Sequence, residues 1–203
     1  MSTPEQKIEH ALQLLKEAVE GFEEINYRQV MVERNEDAYR ITKEFIQSEV
    51  LRLVKMYRNL TVLDQRARLI RDGIDLYLRR GHGYNIGGSI GSHYREVGVD
   101  LADCIFEHMI PQSRIRDLLI QDRISIEQAM NAPTCLISKA NDKLLSQSGF
   151  NNKTPSYWNF FDRYTGVFTA QYETFNGQEI ADPHMWTLGK HYEYFGITLV
   201  KEN

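Results

Sequence analysis

The sequence predicts an α+β protein with an N-terminal helical region, a central segment of strands and helices, and an aromatic-rich C-terminal region. Apolar residues recur at helical spacing through the first eighty positions. Between Asp103 and Leu145 the pattern changes to strand, loop, strand and helix. Residues 151–203 hold 12 of the 22 aromatic side chains. A length of 203 residues with 42% hydrophobic composition suits one domain or two small ones around a buried core.

The helical region covers 1–80 and consists of three amphipathic segments. The first spans 3–22, where a threonine cap precedes a proline at the first helical position. The second spans 35–58 and starts at an asparagine suited to capping. The third spans 63–80, with Gly81 placed as the residue that ends the helix. The apolar stripes of these segments predict core packing.

A glycine-rich stretch follows at 81–93 and separates the helices from the rest of the chain. It has five glycines in the twelve residues from 81 to 92. Such a stretch could cradle phosphate with backbone N–H groups, but it lacks the Lys-Ser/Thr ending of a P-loop. We interpret it as a linker. The remaining chain divides into a central unit, 94–149, and an aromatic-rich region, 150–203, that is expected to pack on it.

Composition and charge exclude several classes of protein. No apolar run approaches the ~18 residues of a membrane helix, and the N-terminus lacks a signal-peptide pattern. Two cysteines cannot form a disulfide scaffold or a four-thiolate zinc site. We therefore expect a cytoplasmic protein of a reducing compartment. The net charge is −4, yet residues 51–95 carry nine basic and three acidic side chains. This block is either a solvated helix face or a surface for polyanions.

The central unit carries the residues suited to catalysis. Cys104 begins a short apolar strand that ends at Glu107-His108, and Pro111 stops it. A capping box at Ser125 opens a short helix in the following loop. A second strand, 134–137, then leads into a helix over 139–145 that Ser138 caps.

At these residues the sequence resembles the HNH, or ββα-metal, endonuclease family. The segment 107–113, Glu-His-Met-Ile-Pro-Gln-Ser, is similar to the family's Asp-His opening, above all in RNA-guided CRISPR nucleases. The ending Ser138-x-x-Asn141-x-Lys143 resembles the helix that returns the last metal ligand, and Asn131 stands near the middle asparagine. The resemblance covers about a fifth of the chain and excludes the helical and aromatic regions.

The resemblance implies hydrolysis of DNA phosphodiester bonds at one metal-dependent site. His108 would be the general base, since a neutral imidazole can take a proton from water near neutral pH. Glu107 and Asn141 would supply oxygen ligands to Mg²⁺, or alternatively Mn²⁺. Asn131 would orient the histidine in the catalytic site, and Lys143 would contact phosphate. The site requires that the ring of His108 and the oxygens of Glu107 and Asn141 converge on one cation.

Two departures from the family pattern bear on this site. Glu107 replaces the usual aspartate and adds one methylene, and Asn131 lies one residue further from Asn141. Adjacent strand residues point to opposite faces, so Glu107 and His108 can share a site only if the strand is distorted near Pro111. In the alternative interpretation His108 is a hydrogen-bonded structural residue and Asn141 a helix-surface amide.

Beyond this segment, the sequence predicts contacts to nucleic acid along the basic block. One ββα unit acts on one strand, so cutting both strands implies a homodimer or two successive nicks. RNA is an alternative substrate, and the family's distribution implies a phage or mobile-element setting in a host cytoplasm. The alternative function is a non-catalytic nucleic-acid-binding or assembly protein with a degenerate HNH-like segment. The predicted backbone-binding side chains are Arg66, Arg71, Arg79, Arg80 and Arg95.

Overall fold

A computed structural model describes residues 27–83, 92–150, 153–156 and 158–198, with side chains from residue 40 onward. The chain divides into two units, 1–41 and 42–203. Of the first unit, the structure describes only 27–41, which are helical. The helix predicted over 3–22 and most of the glycine-rich stretch lie outside the described residues.

Two long helices occupy the first part of the described chain. Helix α1 spans Tyr27–Arg58 and ends where the sequence predicts, but it begins well before the asparagine at position 35. Helix α2 spans Gln65–His82 and is capped by the Asp64 side chain, which accepts from the N–H of Arg66. The prediction that Gly81 follows the end of α2 is wrong. Gly81 lies inside the last turn of the helix, where it is buried beside Met130.

A four-stranded mixed sheet forms the centre of the second unit, with strand order β2-β3-β1-β4. Strand β1 pairs parallel to β3 and antiparallel to β4, and β2 pairs antiparallel to β3. Helices together with this sheet confirm the α+β class. The strand bounds are Tyr94–Glu96 for β1, Cys104–His108 for β2, Thr134–Ser138 for β3 and Tyr172–Thr174 for β4.

The connection between β2 and β3 is helical, and each of its boundaries has a local cause. Pro111 lacks a ladder N–H and stands at the start of helix α3, Gln112–Ile120. Ser125 caps helix α4, Ile126–Met130, with both hydrogen bonds of the predicted capping box present. Helix α5, Lys139–Gln147, follows β3 directly, since Ser138 accepts from the N–H of Asn141. Helix α5 packs on both β2 and β3.

The C-terminal region supplies much of the aromatic core. Helices α6, Asp162–Thr165, and α7, Leu188–Tyr194, flank strand β4. Rings at 160, 161, 186 and 192 are buried, as the sequence predicts. Residues 167–170 form no strand, although they are apolar and β-branched in part, and β4 starts two residues later. Two short 3-10 helices, Leu101–Asp103 and Pro183–Met185, complete the described elements. Within the described residues, no helix is both long and apolar enough to cross a membrane.

Candidate functional site

The pairing of β2 with β3 fixes where Glu107 and His108 point. The antiparallel ladder is regular from Cys104, opposite Ser138, to His108, opposite Thr134. The N–H of Met109 continues it by donating to Pro133 O. Because successive strand residues alternate between faces, the two side chains lie on opposite faces of the sheet. The distortion predicted near Pro111 is absent from the ladder, and this corrects the expectation that the pair shares one site.

On one face, Glu107 forms an ion pair with the guanidinium of Arg163. The Arg163 side chain is 1% exposed and that of Glu107 19%. Arg163 also donates to two backbone carbonyls, His108 O and Phe150 O. Burial raises the pKa of Glu107, and the charge of Arg163 opposes that shift. The carboxylate therefore balances a buried cation, so it is not a free metal ligand in this arrangement.

On the other face, the His108 ring lies between two other rings. Its centroid is 5.0 Å from that of His82 and 5.3 Å from that of Phe106. His108 Nε2 and His82 Nδ1 are buried and have no hydrogen-bond partner among the described residues. Burial, followed by the charges of His82, Arg79 and Arg163, lowers the pKa of His108 to about 3. Both imidazoles are consequently neutral at physiological pH, because burial also lowers the pKa of His82 to about 4.

The predicted metal ligand Asn141 lies in the first turn of α5, directly after β3. Its Nδ2 donates to Glu96 Oε1 at 2.8 Å, and Glu96 Oε2 accepts from the N–H of Ser138 at 2.9 Å. Ser138 pairs with Cys104, four residues before His108, which corresponds to about 13 Å along the ladder. Helix α5, which carries Asn141, packs on both β2 and β3, and the charge of the adjacent Asp142 raises the pKa of Glu107. The structure thus gives the Asn141 amide a structural partner in Glu96.

The residues present do not fit the implied Mg²⁺ site. One proposed ligand is paired with Arg163, the other with Glu96, and the proposed base faces away from the first. In the described parts of the chain, no cluster of three or more His, Cys, Asp or Glu side chains could hold a metal ion. Both predicted ligands thus have protein partners in this structure, and their ligation of a common cation stays a prediction.

Asn131 has a structural place beside α4 rather than beside His108. Its Nδ2 donates to Glu127 O at 2.7 Å. Its backbone carbonyl accepts from His191 Nε2 at 2.8 Å, and His191 Nδ1 lies 2.7 Å from the hydroxyl of Tyr94. Trp186 Nε1 donates to the same hydroxyl. Burial lowers the pKa of His191 to about 3, which keeps it neutral in this chain of hydrogen bonds.

The predicted nucleic-acid contacts fall into two groups. Three arginines form ion pairs: Arg66 with Asp64, Arg71 with Asp117 and Arg95 with Glu173. Two arginines near the C-terminal end of α2, Arg79 and Arg80, are exposed. Lys143 is exposed on α5. The structure thus leaves the end of α2, next to His82, as an accessible cationic part of the basic block, along with the exposed Lys55 and Arg68.

The sequence does not predict that His82, Glu96 and Arg163 belong to this region. His82 could have been found, because Ile70, Ile74, Leu78 and His82 follow one another at intervals of four along α2 and all are buried. Glu96 and Arg163 carry no such signal, since only the tertiary fold brings them to Asn141 and Glu107.

Comparison of the chain with protein-family models, with curated proteins and with solved structures finds no match.

Proposed function

We propose that this protein cleaves phosphodiester bonds of nucleic acid, with His108 as the general base. The observation that carries the proposal is a neutral imidazole at the end of a strand in a strand–strand–helix unit, with an Nε2 that has no partner in the described part of the chain. That position is the one at which the motif resembling the HNH family has its histidine. The neutral form is the one able to accept a proton from water.

The neighbours of His108 supply the charge that such a reaction needs. Arg79 is close enough for its charge to lower the pKa of His108, and its side chain is exposed. A phosphate anion bound by Arg79 would neutralise this charge and raise the pKa of His108 towards the range useful for a base. The buried imidazole of His82, whose Nε2 lies 2.8 Å from Ala129 O, packs beside the His108 ring. Nε2 is covered in the described conformation, so substrate entry requires side-chain movement.

The same proposal leaves the metal open to experiment. Because Glu107 and Asn141 have other partners, no step is assigned to Mg²⁺ here. Activity in EDTA would place the chemistry on the histidines and arginines alone. Activity lost in EDTA and restored by Mg²⁺ or Mn²⁺ would require Glu107 to leave Arg163. The variant Arg163→Met would test this, since it should change the metal concentration needed for cleavage.

A second candidate function is nucleic-acid binding without cleavage, with the HNH-like segment in a structural role. Two observations favour it: the Glu107–Arg163 ion pair and the Asn141–Glu96 hydrogen bond. Each gives a residue of the implied metal site a partner that stabilises the fold. A protein of this kind would retain affinity for DNA in EDTA and would cleave neither DNA nor RNA.

Plasmid nicking separates the two functions. Purified protein is incubated with supercoiled plasmid, and in parallel with single-stranded RNA, in Mg²⁺, in Mn²⁺ and in EDTA. We expect His108→Asn to lower the cleavage rate by about 10²–10⁴, the usual contribution of a general base. His184→Asn is the matched control, because His184 is exposed and distant from β2 in the sequence. Equal cleavage by His108→Asn and the parent protein would overturn the proposal.

A further inference from the structure

A cavity of about 810 Å³ opens among α1, α4 and the chain after α7, and it is not formed by Glu107, His108 or Asn141. Its volume lies in the range of small-molecule sites. The part of α1 that lines it belongs to the second unit, as do all its other walls.

One wall of the cavity is polar and carries both signs of charge. Lys43 and Gln47, one turn apart on α1, face it together with Glu127 and Asn131. Lys43 is half-buried, and burial lowers its pKa while the charge of Glu127 raises it. Among the described residues, no hydrogen bond or ion pair occupies the Lys43 amine. Asn131 donates from Nδ2 to Glu127 O, which leaves its Oδ1 as an acceptor.

The other wall is apolar and includes an aromatic ring. Phe195, Met130 and Ile197 form it. The ring of Phe195 is held by five other rings, from His93 with centroids 4.7 Å apart to the stacked Phe175 at 6.1 Å. A ring held in this way can stack on a planar group at little cost in conformational entropy.

From this arrangement we infer that the cavity binds a nucleoside 5′-monophosphate whose base bears an exocyclic amino group. Lys43 contacts the phosphate, since an ammonium is a compact partner for an anion. Phe195 stacks on the base, as aromatic side chains do with unpaired bases. Glu127 accepts a hydrogen bond from the amino group, in the way that carboxylates recognise cytosine N4. The amides of Gln47 and Asn131 serve the remaining base edge.

Calorimetric titration of the full chain tests the inference, with CMP, GMP, UMP and inorganic phosphate as separate probes. CMP and GMP are expected to bind, UMP more weakly because it has no amino group, and inorganic phosphate weakest of all. Lys43→Met is expected to weaken CMP binding by about tenfold or more, the value of one charge-assisted hydrogen bond. Lys153→Met is the matched control, because Lys153 is exposed and outside the cavity.

Two further variants show which contacts matter. Phe195→Leu keeps an apolar wall but removes stacking, and it is expected to weaken CMP and GMP equally. Glu127→Gln is expected to remove the preference over UMP. Absence of CMP and GMP binding, or binding that Lys43→Met leaves unchanged in a protein with parental thermal unfolding, would overturn the inference. Cleavage assays of the same variants are independent, so failure here leaves the role of His108 standing, and the reverse also holds.

Discussion

Arg163 shows how a single buried charge organises the residues around it. Its guanidinium is almost wholly enclosed, and it contacts Glu107, His108 O and Phe150 O. A cation in this position is tolerated only if its donors are satisfied and its charge is balanced. Glu107 provides the balance. The residue that resembles a metal ligand in the sequence therefore has a physical role in the fold without any metal.

Removing the carboxylate charge should destabilise the fold. Glu107→Gln removes the carboxylate charge paired with the buried Arg163 cation, so we expect a loss of about 3 kcal/mol in the free energy of unfolding, as for other broken buried pairs. Chemical denaturation at pH 7.5 measures it. Glu193→Gln, at an exposed position of α7, is the control and should be near neutral. A stability unchanged in Glu107→Gln would mean that the ion pair contributes nothing, and the carboxylate would again be free for a ligand role.

The buried histidines give the protein a dependence on acid. Burial lowers the folded-state pKa of His82 to about 4 and that of His191 to about 3. In the unfolded chain both would titrate near their ordinary value of about 6.5. Between these values the unfolded state binds more protons than the folded one. Stability is thus fully present above pH 6.5 and is lost as the pH falls towards 4.

The expected loss is large enough to measure. One histidine with the shift of His82 contributes about 3 kcal/mol to the difference in unfolding free energy between pH 7 and pH 4. Denaturant titrations at pH 7.5, 6.0 and 5.0 should show decreasing stability, and His82→Gln should reduce that slope. The raised pKa of Glu107 acts in the opposite sense, because the folded state then takes up a proton more readily. Stability that stays constant across this interval would contradict the neutral buried state of the histidines.

At the level of elements, the sequence predicts well whatever depends on neighbours in the chain. The ends of β2 and β3, the capping box at Ser125 and the start of α5 at Ser138 are confirmed, since each rests on a cap or a proline within a few residues. Helix α3 lies in a segment for which the sequence predicts only a loop. Its buried face packs on α2, a contact distant in sequence.

The candidate site was less predictable for the same physical reason. That residues 107 and 108 alternate between faces follows from strand geometry, yet whether β2 ends in a distortion depends on its pairing with β3. Glycine is a residue type that often follows a helix end, but Gly81 lies inside α2. A side chain at this position would meet the side chains of Met130 and Ile46. The local sequence pattern identifies residue types suited to a site or a helix end. The tertiary contacts decide which neighbours each of these side chains faces.

The capping box of α4 should have a measurable effect of its own. Ser125→Ala removes the acceptor for the N–H of Gln128 and should destabilise the protein by about 1 kcal/mol. Gln128→Ala removes the reciprocal bond to the N–H of Ser125. Because both side chains serve one motif, the double variant should lose less than the sum of the single losses. Strict additivity in denaturation measurements would show that the two bonds act independently.

Across the whole molecule, ion pairs decide how much of the basic block is available to a polyanion. Of its nine cations, several are held by carboxylates: Arg52 by Glu49, Arg58 by Asp122, and the arginines at 66, 71 and 95 by their own partners. An arginine already paired must first leave its carboxylate before it can neutralise a phosphate. Its binding therefore releases fewer counterions from the nucleic acid. The charge count of +6 therefore overstates the surface that nucleic acid would meet.

Because of these ion pairs, the arginines without a carboxylate partner in the described residues should control binding to DNA. The salt dependence of affinity has a slope of about 0.9 per phosphate contacted. Arg80→Ala, at an exposed position with no ion pair in the described part of the chain, should reduce the slope by about one such contact. Arg95→Ala is the matched control, since Arg95 is paired with Glu173 and should change the slope less. Fluorescence anisotropy with a labelled duplex from 50 to 200 mM salt, a range of about fourfold in ionic strength, measures both. A slope that falls for Arg95→Ala but not for Arg80→Ala would place the DNA on the β1–β4 edge of the sheet instead of the end of α2.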